Sequence, residues 1–385
     1  MDGNERSKGA RVGDPRLIYG ARLFPDEQIQ SYRSIHHNFP TRLIRRGGDA
    51  RIFEFGYDPL DFDGLKISTG QGVFTLYDYY IRNSLTALMI VKDDTIVFER
   101  YDHGNDRATR WMSMSIAKSI SATLLGAALQ DGFIDSVDDP LTKYLPVLEK
   151  GGYRDVSIRH LLQMSSGVKW NETHTDPHSE RHVMLELQIR QRPGEILEFL
   201  SGLPKLAPSG ERWNYSTGET HVLGALLRAA TGETLSDYLS RKIWSRAGME
   251  ADAHWWLESP DGLEVAGSGV AATAHDYARF GRFVMNNGVI EGEPVLPDWW
   301  MKEATAPRTI GGETVDYGFM WWPVRAPAGA SYGDGYSARG IFGQYLYINP
   351  GARVMALVWS ARAQPRFSEA IRDNDFFHAV MEHLT

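Results

Sequence analysis

Strand-forming runs at both ends of this chain, with helical segments between them, limit the possible fold more than any other feature of the sequence. Near the front, Ala87-Leu88-Met89-Ile90-Val91-Lys92 and Thr95-Ile96-Val97-Phe98-Glu99-Arg100-Tyr101 are β-rich and enclose the acidic pair Asp93-Asp94, the pattern of a hairpin. Near the back, residues 344–348 and 353–359 flank the turn Asn349-Pro350-Gly351-Ala352 and predict a second hairpin. Residues 318–322 read as one more strand, and residues 51–55 alternate like a short one.

The intervening apolar runs have helical character and stop at glycines: 219–231 before Gly232, 235–246 before Gly248, and 274–287 before Gly288. Residues 75–83 and 156–164 predict short helices, another begins at Asp138-Asp139-Pro140, and 367–384 predicts an amphipathic one. Its buried face would carry Ile371, Phe376, Phe377, Val380 and Leu384. Residues 16–48 read as an arm wrapping the domain. The expected architecture is α+β, an antiparallel sheet built from both chain ends and covered by helices, with a helical region inserted between its halves. This divides the chain into a flexible tail (1–15), an α/β subdomain (16–135 with 311–385) and a mainly helical subdomain (136–310).

At 385 residues, 42% of them hydrophobic and 23% charged, the chain is long enough for a large core. A net charge of −8 with no basic block argues against nucleic-acid and anionic-membrane partners. The absence of cysteine rules out disulfides, thiolate catalysis and cysteine-ligated zinc. No apolar run reaches a membrane span, and Met1-Asp2-Gly3-Asn4-Glu5-Arg6 lacks the apolar core of a secretory signal, so the expectation is a cytoplasmic protein. The oligomeric state stays open, with a homodimer among the options.

Chemistry concentrates in Trp111-Met112-Ser113-Met114-Ser115-Ile116-Ala117-Lys118, where a hydroxyl and an amine stand three residues apart at the start of a predicted helix. There the Ser115 N–H is one of the unpaired donors of the helix N-terminus, and Lys118 projects from the same face. Serine is a poor nucleophile until a neighbour takes its proton, and lysine can do so only when neutral. From a reference pKa of about 10.4, a base working at neutral pH needs a depression of roughly three units, about 4 kcal/mol. Burial and a second hydroxyl partner are the expected means. Ser-x-x-Lys alone equally describes a serine cap with a solvated lysine, and a second copy, Ser166-Gly167-Val168-Lys169, reads as loop.

Two further segments complete a possible site. In Arg212-Trp213-Asn214-Tyr215-Ser216-Thr217, Tyr215 is a phenol whose pKa a nearby lysine ammonium would lower, letting it share proton traffic. In Ser337-Ala338-Arg339-Gly340-Ile341-Phe342-Gly343, the glycines permit close backbone approach, and a strand edge could present an N–H to an oxyanion. A bulged strand bending at glycines fits that spacing as well.

Ser115-Ile116-Ala117-Lys118, Tyr215-Ser216-Thr217 and Ala338-Arg339-Gly340-Ile341, in this order, resemble the three elements of the serine β-lactamase and penicillin-recognising superfamily, class C branch. Ile158-Arg159-His160-Leu161-Leu162, Ser165-Ser166-Gly167, Leu223-Gly224 and Thr231-Gly232 are similar to its supporting stretches, so the likeness runs from about Ala87 onward. The run Gly340-Ile341-Phe342-Gly343-Gln344-Tyr345-Leu346 through Pro350 resembles 6-aminohexanoate-dimer hydrolases and their esterase relatives. The resemblance implies the β-lactamase-like (DD-peptidase) fold. It makes Ser115 the acylated nucleophile, Lys118 its base and Tyr215 the proton shuttle, with the N–H groups of Ser115 and Ile341 as oxyanion hole. No cofactor and no metal are implied.

Three positions depart from the family pattern. Ala338-Arg339-Gly340 stands where β-lactamases carry Lys-Thr-Gly, Thr217 replaces the asparagine of Tyr-x-Asn, and Phe342 sits where nylon-oligomer enzymes tend to have histidine. Acyl transfer is compatible with all three, so the expectation is a serine hydrolase acting on small esters or linear amides. A β-lactamase or D-alanyl carboxypeptidase, and a non-catalytic binding protein on the same scaffold, are the alternatives.

Trp170, His174, Trp213, Thr217, Arg339, Gly340 and Phe342 are candidate substrate contacts. His174, His178 and His182 recur at helical spacing, but Pro177 is expected to begin the helix and leave His174 outside it, and no His-Glu-x-x-His pattern exists, so lining the cleft is preferred to binding metal. The chain's eleven tryptophans are read chiefly as packing.

Overall fold

The computed structural model describes residues 13–48 and 52–385. Its central sheet has seven strands in the order β8-β9-β10-β11-β3-β4-β2. These are β2 (Gly56–Tyr57), β3 (Leu85–Lys92), β4 (Thr95–Tyr101), β8 (Trp322–Val324), β9 (Gly335–Gly340), β10 (Gln344–Asn349) and β11 (Val354–Ser360). Both hairpins form, and the chain ends meet in the middle, where β11 runs antiparallel to β3 with Met355 opposite Val91 and Leu357 opposite Met89. All pairings are antiparallel except that of β2 with β4.

The side-chain period of two explains how one strand serves two cores. Leu88 and Ile90 of β3 face the cluster containing Phe376, Phe377 and Val380 of α7 (Asp373–Leu384), while Ala87, Met89 and Val91 face the larger cluster. That larger cluster includes α3 (Ile116–Gln130), α5 (Thr217–Thr231) and α6 (Ala274–Met285). A strand covered on both faces can carry a continuous apolar run, as β3 does from Ala87 to Val91.

A second, four-stranded sheet, order β1-β6-β7-β5, joins β1 (Thr41–Ile44), β5 (Trp111–Met112), β6 (Ala253–Trp256) and β7 (Val270–Ala272). It ties the arm to the segment that delivers Ser115. The arm carries α1 (Pro15–Tyr19) and α2 (Pro25–Arg33), and Tyr32 packs edge-on against Trp111 at 5.3 Å.

Several local expectations need correction. Residues 318–321 form a turn and only Trp322–Val324 is extended, because Met320 takes a left-handed conformation (φ 58°) and breaks the strand. Of 51–55, residue 51 lies outside the described residues and 52–55 form no strand; pairing begins at Gly56. The last helix starts at Asp373, since Phe367 has φ 57° and the preceding loop is irregular. The expected tail at 1–15 falls outside the described residues through 12, and Asp14 caps α1. The helix expected to begin at Pro177 begins three residues later, as α4 (Glu180–Arg190) with Ser179 as its cap, and His174 lies outside it. Within the stretch assigned to the helical subdomain, α6 packs on β10 and β11; the two-subdomain division is a proposal about organisation. Among the described residues no helix is long and apolar enough to cross a membrane.

Candidate active site

Strand β5 ends at Met112, and the backbone turns sharply into α3 through Met114, whose φ of 49° is costly for a side chain with a Cβ, about 1–3 kcal/mol. The strain is held in place by the Ser113 N–H donating to Val270 O at 2.8 Å. Ser115 is the N-cap of α3, yet its side chain makes no capping bond, which leaves Oγ available. Lys118 Nζ lies 2.9 Å from that oxygen and 2.9 Å from the Gly267 carbonyl. The second partner is therefore a carbonyl rather than the expected hydroxyl.

Lys118 is 1% exposed, and burial lowers its pKa to about 7. Glu172 opposes that shift, whereas Arg181 and Arg366 add to it. The lysine is thus poised to exchange its proton near neutrality.

Tyr215 arrives from the loop preceding α5, its ring centroid 5.1 Å from Lys118 Nζ. The expected lowering of its pKa does not occur. Burial, followed by the Glu172 charge, pushes the phenol well above its ordinary value, and a hydrogen bond with Ser115 only partly offsets this. The physical reason is that desolvation of the phenolate, reinforced by the Glu172 charge, outweighs the neighbouring cations. Tyr215 is a proton donor at working pH.

The third segment converges through Gly340. A Cβ there would lie 2.5 Å from the Ser113 carbonyl oxygen and 2.9 Å from Met114 Cβ, so β9 touches the nucleophile turn at its backbone. This brings Ile341 beside Ser115. Among the described residues neither the Ser115 N–H nor the Ile341 N–H donates to a protein acceptor, and two free amides flanking a serine hydroxyl suit an oxyanion.

Ser115, Trp213, Tyr215, Trp322, Arg339 and Ile341 line a cavity of about 360 Å³, with Gly340 and residues 365–369 at its edge. Arg339 bonds Ser337 Oγ at 2.8 Å and lies over the Trp322 ring. Four candidate contacts sit elsewhere. Phe342 is fully buried against Tyr32, because its φ of 63° turns the side chain into the core. Trp170 donates its indole N–H to Glu172 and packs where a Cβ on Gly218 would fall. His174, its side chain 8% exposed, is stacked on Tyr19 at 5.7 Å. Thr217 is buried, with its hydroxyl given to Glu172. These last three form a layer behind Tyr215.

His182 faces Glu186, and among the described residues no group of three or more histidine or carboxylate side chains could hold a metal ion. The second Ser-x-x-Lys is loop, with Ser166 Oγ donating to Glu219. Sequence reasoning missed Glu172, Arg181 and Arg366. Nothing in their spacing marks them, since each acts through burial or proximity that only the tertiary structure creates.

A family model described as Beta-lactamase matches residues 81–379. The 6-aminohexanoate-dimer hydrolase of Paenarthrobacter ureafaciens is 29% identical over 280 residues, 69% of this chain and 69% of that protein. A solved structure from Bacillus anthracis, proposed to be a 6-aminohexanoate-dimer hydrolase, superposes with a TM-score of 0.81 at 23% identity over 97% of this chain and 99% of that one. A family VIII carboxylesterase structure gives 0.59 at 17% identity over 78% and 92%. At these identities the two structural matches bear on the fold.

Proposed function

Because the chain belongs to the beta-lactamase family, we propose that it is a serine hydrolase cleaving small esters or linear amides through an acyl-enzyme, with Ser115, Lys118 and Tyr215 as its catalytic residues. The observation that carries this reading is the 2.9 Å contact between Ser115 Oγ and a buried Lys118 whose pKa is lowered to about 7. Neutral Lys118 takes the proton of Ser115 as Oγ bonds to the substrate carbonyl carbon, and the resulting oxyanion lies between the Ser115 and Ile341 N–H groups. Tyr215 gives its proton to the departing alcohol or amine oxygen or nitrogen as the tetrahedral intermediate collapses, and Lys118 returns a proton to the phenol. Water then attacks the acyl carbon, its proton passing to the same base, and Ser115 leaves as the alcohol.

The names of the relatives agree with this substrate range, one being a 6-aminohexanoate-dimer hydrolase and another a family VIII carboxylesterase. A β-lactam substrate is disfavoured by Ala338 at the position of the family's lysine. Arg339, the adjacent cation, is engaged with Ser337 and Asn374.

The test is hydrolysis of a p-nitrophenyl acyl ester. Ser115→Ala is expected to lose on the order of 10³-fold or more in kcat/KM, and a fluorophosphonate is expected to add its mass at Ser115. Equal rates for the two proteins would end the reading. A chromogenic cephalosporin turned over faster than the ester would favour the β-lactamase alternative, and a protein that neither hydrolyses nor labels would be a binding protein.

A further inference from the structure

Glu172 is a carboxylate sealed in the wall behind the nucleophile, its side chain 9% exposed. Trp170 Nε1–H at 2.5 Å and the Thr217 N–H at 2.9 Å both donate to Oε2, and the Thr217 hydroxyl donates to Oε1 at 2.5 Å. Thr217 is the first residue of α5, so the carboxylate also faces the positive end of a long helix, and Tyr215 lies two residues earlier. On its other side Thr217 lies beside Gly267, where a Cβ would be 3.1 Å from Thr217 Cγ2 and 3.3 Å from Lys118 Nζ. An anion therefore stands one side chain away from the amine, with Thr217 between them.

Building on the hydrolase reading, we propose that Glu172 is a positioning residue: it pins the Tyr215 segment to the cavity wall and, as a fixed negative charge, keeps Lys118 basic enough to accept the Ser115 proton. The groups around Lys118 show why such a charge matters. Arg181 of α4 and Arg366 of the loop after β11 disfavour the ammonium, as does burial, while Glu172 favours it. His174, lowered to about 3 by burial, is neutral at working pH, and Tyr215 stays protonated. Ser115 carries no charge. Glu172 is the anion of the set: burial works against its charge, but the Lys118 and Arg181 cations and the Thr217 hydroxyl hold its carboxyl below the usual range. Without it the amine would be neutral over a wider pH range but a weaker proton acceptor, two effects of opposite sign on the rate.

Glu172→Gln separates charge from shape. The amide oxygen can take both donors that now reach Oε2, and its NH2 can donate to the Thr217 hydroxyl, which rotates to accept. The acid limb of kcat/KM for a p-nitrophenyl ester is expected to move down by about one pH unit. Its plateau is expected to fall by about tenfold, with KM little changed. Glu172→Asp keeps the charge but cannot span the same bonds, and is expected to lose kcat with the limb in place. A limb that stays put in Glu172→Gln, or moves equally in Glu172→Asp, overturns the proposal. Fluorophosphonate labelling of Ser115 in the same proteins shows separately whether the hydrolase reading stands. Should the glutamine variant not fold, 13C NMR of the Glu172 carboxyl carbon in the native chain decides: ionisation through the limb supports the proposal, and a protonated carboxyl at neutral pH overturns it.

Discussion

At the scale of single residues, the proposed mechanism rests on the contrast between two groups that desolvation moves in opposite directions. Desolvation disfavours charge, so the amine of Lys118 falls to about 7 while the phenol of Tyr215 rises. Lysine must be neutral to act, so kcat/KM is expected to rise with pH through about 7 and then level off. Tyr215 should add no second limb below pH 10. Tyr215→Phe removes the donor we assign to the leaving group, and should lower kcat by about 10²- to 10⁴-fold with KM nearly unchanged. A loss confined to KM would assign the phenol to substrate binding instead. Ser115, Lys118 and Tyr215 were legible as candidates because three segments occur together in one order, none of them specific alone. The sign of the tyrosine shift was not, because it depends on burial and on the Glu172 charge, which only the tertiary structure brings together. Glu172 was invisible for the same reason.

At the scale of elements, the site depends on backbone contact between β9 and the turn before α3. Gly340→Ala would place a methyl 2.5 Å from the Ser113 carbonyl oxygen, a backbone atom that cannot swing aside. The strand must retreat and carry Ile341 with it. Overpacking of this kind costs the fold about 1–3 kcal/mol, and displacing one oxyanion donor should cost on the order of 10²- to 10³-fold in kcat. Thermal unfolding and ester hydrolysis measure the two effects, and unchanged turnover would remove Ile341 from the oxyanion hole. The hairpins at 85–101 and 344–360 were readable from long apolar runs around turn residues. The four-stranded sheet was not, since its strands hold two to four residues and show no periodicity. Met320 and Phe367 shifted two boundaries through left-handed conformations that their side chains do not announce.

At the scale of the whole molecule, the overall plan followed from strands at both chain ends, and that plan determines how stability responds to pH. Glu219 of α5 is buried, and its pKa is pushed up to about 8, chiefly by desolvation; one oxygen accepts from Ser166 and the other has no partner among the described residues. Between pH 4.5 and 8 the folded chain keeps a proton that the unfolded chain has released, so this group makes stability fall as pH rises. Glu219→Gln escapes that penalty. Its thermal midpoint, relative to the native chain, is expected to climb from pH 5 to pH 8 and then flatten, whereas a constant gap would mean the carboxyl does not titrate in this window. The pairing of β11 with β3 at the middle of the sheet has a further consequence, for biosynthesis. Until translation passes residue 360, the first hairpin presents an apolar edge with no neighbour, the kind of surface that chaperones shield. A copy interrupted before residue 341 would hold Ser115 and Lys118 but lack the second amide we assign to the oxyanion, so competence arrives only once that residue has been made.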